Sequence, residues 1–217
     1  MRWLLAPPHP TCQSRTSRHR ARDFLRREKI RWPGGVFLNA GSGSQRFDTP
    51  TVNLDLLPGK NVSLVGDLLA LPLRSRSVHT IVCTGVLEHV SDPARAVGEM
   101  HRVLQTGGRV FVEVPFMQTV HASPKDFTRW TPDGLRCLMG HFEIREWHVV
   151  AGPASALAWM LQETLAMLFC FGSDMLYRIG LRVFGWCVVP VSWLDLLLER
   201  RPMAWRAASG YALVAEK

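Results

Sequence analysis

Apolar residues in the middle of the chain come in short runs, and each run ends in glycine, aspartate or proline. Val36-Phe37-Leu38 leads into Asn39-Ala40-Gly41-Ser42-Gly43-Ser44. Three apolar residues rich in β-formers predict a short strand covered on both faces. Thr51–Asp55 before Pro58-Gly59, Val62–Asp67, Ser77–Thr84 and Arg109–Val114 predict four further strands. Ser91-Asp92-Pro93 starts a helix, with an acceptor at the cap and proline in the first turn. Ala94, Val97, Met100, Val103 and Leu104 form its apolar face, and Thr106-Gly107-Gly108 predicts a glycine cap at its end. Phe142–Val150 alternates as a sixth strand, and Ser209–Ala215 supplies a closing one. Repeated βα units of this length predict a parallel sheet with helices on both faces and ligands at the strands' carboxyl ends.

The two ends depart from this pattern. Met1–Ala6 starts like a signal peptide, but Pro7-Pro8 stops the apolar run short of the ~7–15 residues such a segment needs. Thr11–Arg22 is rich in arginine and serine, a composition shared by solvated basic tails and transit peptides. Ala21–Ile30 reads as an amphipathic helix, broken by Pro33-Gly34-Gly35. The expected division is a basic arm over residues 1–19 and one domain over 20–217. That domain includes an apolar helical insertion at 154–202. The insertion holds Trp159, Trp186 and Trp193 with many leucines. Gln162, Glu163, Asp174, Arg178, Arg182 and Asp195 interrupt it, so no uninterrupted span of ~18–20 apolar residues is expected. It reads either as a packed helical pair or as an interfacial surface for a membrane or a lipid-linked substrate.

Charge sharpens the division. Residues 1–35 carry nine basic and two acidic side chains; the remainder carries 17 basic and 16 acidic. Residues 1–35 thus carry +7 of the net +8, and nucleic-acid binding by the body is not indicated. The arm and Arg200-Arg201 suit anionic lipid head groups. Five scattered cysteines with no Cys-x-x-Cys pair suggest neither a metal site nor a disulfide framework, in keeping with a reducing compartment.

Candidate chemistry begins at the glycines. A strand running into Gly41-Ser42-Gly43 presents backbone N–H groups to a nucleotide-like ligand. Asp55, at the end of the next strand, has the chemistry to accept two hydrogen bonds from ribose hydroxyls. Asp67 ends the third strand, and Leu68–Pro72 offers an apolar wall for a flat ring. Each aspartate also reads as a simple turn residue. A dinucleotide fingerprint requires a third glycine at position 46, where Arg46 stands, so NAD is disfavoured.

Taken in order, Asn39-Ala40-Gly41-Ser42-Gly43, Asp55, Gly66–Pro72, Val86-Leu87-Glu88-His89-Val90 and Arg102–Gly108 resemble the class I S-adenosylmethionine-dependent methyltransferases. The likeness is to the small type common in glycan and lipid biosynthesis, and it covers about Phe24 to Phe142. It implies a Rossmann-like α/β fold with a seven-stranded, mostly parallel sheet and an antiparallel last strand. It also implies S-adenosyl-L-methionine as cofactor, with Asn39, Gly41, Ser42 and Gly43 under its methionine part. Asp55 and Leu56 would meet the ribose, Asp67 and Leu68 the adenine, and Thr84 and Gly85 would line the cofactor. The family often has an acid at position 39, where this chain has asparagine.

Methyl transfer to a hydroxyl needs a positioned base. The proline-interrupted stretch Pro115–Thr131 reads as an active-site loop, and similar Pro-Phe, His, Pro-x-Asp and Arg-x-Thr patterns follow the fifth strand in the family. His121 is the expected general base, because imidazole titrates near neutrality. Asp126 would orient it and Arg129 would grip an anion; a structural Asp126–Arg129 pair and a Thr131 helix cap are the plainer alternative. Glu88-His89 is the second catalytic option. The expected acceptor is a hydroxyl or amine of a sugar, lipid or small metabolite, met in the cytoplasm or at a membrane surface. A non-catalytic cofactor-binding or membrane-associated partner protein is the competing class.

Overall fold

A computed structural model of the protein describes residues 17–217. The arm at 1–19, including any targeting role, lies largely outside the described residues, as does Cys12. Contacts divide the described chain into two compact units. One comprises His19–Pro115, His121–His148 and Tyr211–Lys217; the other takes in Phe116–Val120 and Val149–Gly210.

The strands are β1 (Phe37–Ala40), β2 (Val52–Asp55), β3 (Leu64–Val65), β4 (Val78–Thr84), β5 (Leu104–Pro115), β6 (Glu143–Ala151) and β7 (Gly210–Glu216). They form one seven-stranded sheet in the order β3-β2-β1-β4-β5-β7-β6. The first five pair in parallel and the C-terminal strands run antiparallel, as the sequence implied. β1 is buried along its length, which explains its continuous apolar run. The third strand is shorter than expected: only Leu64 and Val65 pair with β2.

Helix α1 (Ser17–Arg31) buries Ala21, Phe24 and Leu25, and the Phe24 ring lies 5.6 Å from that of Phe111 on β5. Full burial of such a side chain contributes roughly 1.5–3 kcal/mol. The fourth buried position is Glu28, while Ile30 is 81% exposed. Glu28 is partnered: Arg109 and Arg31 approach to 3.4 and 3.8 Å, and Thr80 Oγ1 donates to it at 3.4 Å. Arg109 also donates to Glu216 at 2.8 Å, which joins β5 to β7 and holds the Glu216 carboxyl below its ordinary range.

Helix α2 (Pro93–Val103) starts as the sequence predicts, with Asp92 accepting from the Arg95 N–H and Pro93 in the first turn. It buries Ala96, Val97, Met100 and Val103, while Ala94 is exposed. The glycine cap expected after it is corrected. Strand β5 begins at Leu104, which pairs with Val78, and the register then jumps to Thr80 opposite Arg109. Gly107, at φ +75°, and Gly108 lie inside this bulge. A Cβ on Gly108 would come within 2.9 Å of the Gln105 and His79 carbonyls. The glycines permit the bulge and close backbone approach. Helix α3 (Pro132–Leu138) is capped by Thr131, whose Oγ1 accepts from the Gly134 N–H.

The second unit is a helical hairpin of α4 (Pro153–Leu168) and α5 (Asp174–Ser192), followed by the short α6 (Asp195–Leu198). Asp195 is buried and caps α4, accepting from the Ala154 and Ser155 N–H groups at 2.8 Å each. A Cβ on Gly152 would collide with that carboxylate at 2.3 Å. Gln162 Nε2 donates to the Leu181 carbonyl at 2.8 Å, and Glu163 accepts from Tyr177 and Trp159. The hydrogen bond to Glu163 is the main reason the Tyr177 phenol is pushed up to about 12. Three of the polar residues that break the apolar run, Gln162, Glu163 and Asp195, thus hydrogen-bond within this unit, while Asp174, Arg178 and Arg182 are exposed. The apolar run is interrupted as expected, yet Asp174–Leu198, 25 residues, is by length and composition alone long and apolar enough to cross a membrane, and only 17% of its most apolar window is buried.

Candidate active site

At the carboxyl end of β1 the chain turns through Gly41 and Gly43, both at positive φ (+72° and +47°). The Gly41 and Ser42 N–H groups donate to the Leu54 carbonyl at 2.8 and 2.9 Å. A Cβ on Gly41 would stand 2.4 Å from a Val86 methyl, so the turn after β1 closes on the turn after β4 only because residue 41 is glycine. Gly85, at φ +65°, lets the second turn leave β4 directly after Thr84. Thr84 Oγ1 donates to Gln45 Oε1 at 3.3 Å, and Asn61 Nδ2 donates to the Gln45 carbonyl.

Asp55 closes the glycine turn from the end of β2. Its Oδ2 accepts from the Gly43 N–H at 2.8 Å and its Oδ1 from the Leu57 N–H at 3.1 Å. Each carboxylate oxygen keeps further lone-pair capacity for a ligand hydroxyl. Asp55 and Gly43 line a cleft of about 480 Å³ together with Arg46, Lys60 and Asn61. Leu56 is exposed beside it.

Asn39 is fully buried, and its Nδ2 donates to Asn53 Oδ1 at 3.1 Å. Among the described residues, its Oδ1 and the hydroxyl of the buried Ser42 have no hydrogen-bond partner. Two orphaned polar groups at a glycine turn fit a ligand carrying both a donor and an acceptor, such as an α-amino acid. Asp67 sits apart from this turn. It is exposed, and its Oδ1 accepts from the Leu69 N–H at 2.9 Å as a local turn; Leu68 beside it is buried. Glu99 and Arg102 on α2 hold the following segment by bonds to the Leu71 N–H and to the Leu71 and Leu73 carbonyls. The Arg102 guanidinium beside Glu99 holds that carboxyl below its usual range.

A second group of side chains gathers beyond β4 and β5. Glu88 and His89 lie on a single 3₁₀ turn (Leu87–His89) directly after Gly85. The Glu88 carbonyl accepts from the Phe127 N–H at 2.7 Å, and His89 Nδ1 meets the Lys125 carbonyl at 2.6 Å. These bonds bring His121, Asp126 and Arg129 to Glu88. His121 Nε2 lies 3.7 Å and His89 Nε2 3.9 Å from Glu88 Oε1, with the two imidazole rings edge to face at 5.3 Å. Glu88 is 2% exposed and its Oε2 has no hydrogen-bond partner.

Asp126 and Arg129 form a bidentate pair, with the Nη2 arm at 2.6 Å. The hydrogen bonds from Arg129, and one from the His121 N–H at 2.8 Å, hold the Asp126 carboxyl far below the usual carboxylate range. Asp126 grips the backbone of His121 more closely than its ring, whose Nδ1 is 3.8 Å away. That Nδ1 faces Arg129 Nη2 at 3.2 Å. Cys83, one turn back on β4, stays a thiol, its pKa pushed up by burial and by the charge of Glu88.

All the residues selected from sequence in this unit therefore fall into two groups, except Asp67 and Leu68. Sequence reading missed Gln45, Lys60 and Asn61. Two amides and an amine on short loops carry no periodic signal, and only the fold brings them to the glycine turn.

Residues 46–112 match the sequence model of a methyltransferase domain. An uncharacterised 37.1 kDa protein of transposon TN4556 from Streptomyces fradiae is 35% identical over 83 residues, 38% of this chain. The match spans only 24% of that relative's length. Among solved structures, the [4+2]-cyclase SpnF superposes with a TM-score of 0.55 at 19% identity, over 91% of this chain and 80% of the cyclase. The 1,6-didemethyltoxoflavin-N1-methyltransferase of Burkholderia thailandensis, solved with S-adenosylhomocysteine, superposes with a TM-score of 0.52 at 15% identity, over 90% of this chain and 77% of the enzyme. The matched domain, the strand order and the glycine turn agree: the chain is similar to the S-adenosylmethionine-dependent methyltransferases of class I and carries their fold.

Proposed function

We propose that the chain is an S-adenosylmethionine-dependent methyltransferase acting on a hydroxyl or amine of a sugar, lipid or small metabolite. The observation that carries the reading is the glycine turn. Asn39 Oδ1 and Ser42 Oγ are buried and unpartnered there, next to a carboxylate set for a ribose. Asn39 Oδ1 accepts from an ammonium and Ser42 Oγ donates to a carboxylate, which together suit the methionine part of the cofactor. Asp55 takes the ribose hydroxyls, Leu56 flanks them, and Thr84 and Gly85 border the same space. Asp67 and Leu68 take the adenine. When bound, the cofactor supplies an activated methyl group on a sulfonium.

His121 is the residue proposed to take the acceptor's proton. Its backbone is fixed by Asp126, which Arg129 keeps ionised. Arg129 faces its Nδ1, so the proton-accepting atom requires the ring to turn from the arginine or to exchange tautomers. His89 is the second choice. Its Nδ1 meets a carbonyl, which makes that nitrogen the N–H and leaves the Nε2 lone pair toward Glu88.

The test is methyl transfer from labelled S-adenosylmethionine to fractions of a cell extract. Label in one small-molecule or lipid fraction, lost in His121→Ala, supports the reading. A chain that binds the cofactor and labels no fraction favours a non-catalytic or non-methylating role, and the likeness to a cyclase makes that a real alternative.

For the hairpin we propose peripheral contact with an anionic membrane. Phe171, Met175, Trp186, Trp193 and Leu197 are each more than half exposed, and Arg178 and Arg182 share α5 with Met175 and Trp186. Co-sedimentation with phosphatidylserine vesicles tests it; recovery of all protein in the supernatant counts against it.

A further inference from the structure

Buried charge is normally paired or bound to a metal, and Glu88 is neither hydrogen-bonded at Oε2 nor faced by a guanidinium that is not already engaged. The cations nearest its other oxygen would have to be the imidazoles of His89 and His121, with Nε2 atoms at 3.9 and 3.7 Å. These three ligand atoms lie within 4.8 Å of one another. A tetrahedral cation with bonds of about 2.0–2.1 Å needs its ligands roughly 3.4 Å apart; the two Glu88–imidazole separations of 3.9 and 3.7 Å approach this, and the imidazole nitrogens, within 4.8 Å of each other, close on it by small rotations of the rings.

We infer that Glu88, His89 and His121 form a binding site for a divalent first-row transition metal ion. The donor set is two imidazoles and one carboxylate. It suits zinc or a related ion better than magnesium, which prefers oxygen ligands throughout. Three protein ligands leave at least one coordination position open.

The surrounding groups suit a metal as well. His89 Nδ1 meets the Lys125 carbonyl at 2.6 Å, which puts its proton on Nδ1 and turns the Nε2 lone pair toward Glu88. For His121 the matching acceptor is Asp126, whose Oδ2 stands 3.8 Å from Nδ1. In the present geometry Arg129 Nη2 faces that nitrogen at 3.2 Å. Metal binding at Nε2 therefore requires the proton to sit on Nδ1 and the ring to lean from Arg129 toward Asp126. The site adjoins the cofactor end of the sheet, because Glu88 Oε1 lies 3.7 Å from where a Cβ of Gly85 would be. This placement, which rests on the methyltransferase reading, gives the open position to an oxygen of the acceptor; in the metal-loaded chain His121 is a ligand and not the free base, and the metal would lower the pKa of the bound acceptor oxygen so that its proton leaves to solvent.

The experiment uses the full chain, stripped with a chelator and titrated in parallel with zinc and with S-adenosylmethionine by calorimetry. Cobalt(II) provides a visible absorption readout. One zinc per chain is expected, and Glu88→Gln and His121→Ala each weaken binding by about 10²-fold or more. The surface variant His148→Ala should leave it unchanged. Glu88→Gln preserves the side-chain shape, and retained cofactor binding certifies its fold. Absence of zinc binding, or zinc binding that both variants leave intact, overturns the metal site. Zinc binding without cofactor binding supports the site and overturns the cofactor reading; binding of neither overturns both.

Discussion

The glycine turn after β1 and the Glu88 cluster after β4 belong to the same unit and are built by opposite means. The turn is made of backbone. Gly41, Ser42 and Gly43 spend their N–H groups on Leu54 and Asp55, and only a missing Cβ lets Gly41 meet Val86. The cluster is made of side chains drawn from separate loops, with the carboxylate of Glu88 at its centre. Among the described residues both keep unpaired polar atoms, neutral ones at the turn (Asn39 Oδ1, Ser42 Oγ) and a carboxylate oxygen in the cluster (Glu88 Oε2), but only the turn is fixed by close backbone packing. A functional site tolerates such unpaired polarity when a ligand completes it.

Two substitutions set that contrast against itself and should give the largest effects. Gly41→Ala adds a Cβ at positive φ against Val86 and is expected to destabilise the protein by roughly 2–5 kcal/mol, combining backbone strain with overpacking. Glu88→Gln, in metal-free protein, removes a buried charge without changing shape and should leave stability unchanged or higher. Urea unfolding of both variants decides the matter; equal losses would erase the distinction between the two regions. The next effect in size is on turnover. His121→Ala should lower it by about 10²-fold while cofactor affinity stays as it was. Loss of cofactor binding in that variant would assign His121 to the first region.

Asp55→Ala should do the reverse. It removes the acceptor for the ribose and unties Gly43, so calorimetry should show cofactor affinity reduced by about 10–100-fold, the scale of losing charged hydrogen bonds. The smallest effect is a pH dependence. The folded-state pKa of Asp126 is depressed by Arg129, so its stabilising contribution is fully present above the ordinary carboxylate pKa and is lost as pH falls toward the lower folded value. The stability difference between wild type and Asp126→Asn should be flat from pH 7 to about 5 and shrink below about 4. A difference that stays constant to pH 3 would mean the carboxylate's charge contributes nothing.

The contrast also explains what could be read from the chain. β1, the Gly41–Gly43 turn and Asp55 follow one another closely, so local pattern was enough. Thr131 and Asp92 were legible as helix caps for the same reason. Gly107 and Gly108 were misread as a cap, because only the pairing of Leu104 with Val78 reveals a bulge. The burial of Glu28 was not legible, because Arg109 and Thr80, remote in sequence, supply its partners. The charges in 154–198 interrupt the apolar run as read, and Asp174–Leu198 reaches spanning length by mean composition alone; the cap that Asp195 provides for α4 was not visible, since it joins residues about forty apart. Glu88 and His89 were visible as a pair. Their junction with His121 was not, since it depends on the Phe127 and Lys125 backbone bonds that dock the loop.

The most direct test of the account is calorimetric titration of the full chain with S-adenosylmethionine, with NAD as the control ligand. The account predicts saturable one-to-one binding of S-adenosylmethionine, weakened in Asp55→Ala, and no heat with NAD. Binding of NAD, or no heat with S-adenosylmethionine in a folded chain, would contradict it.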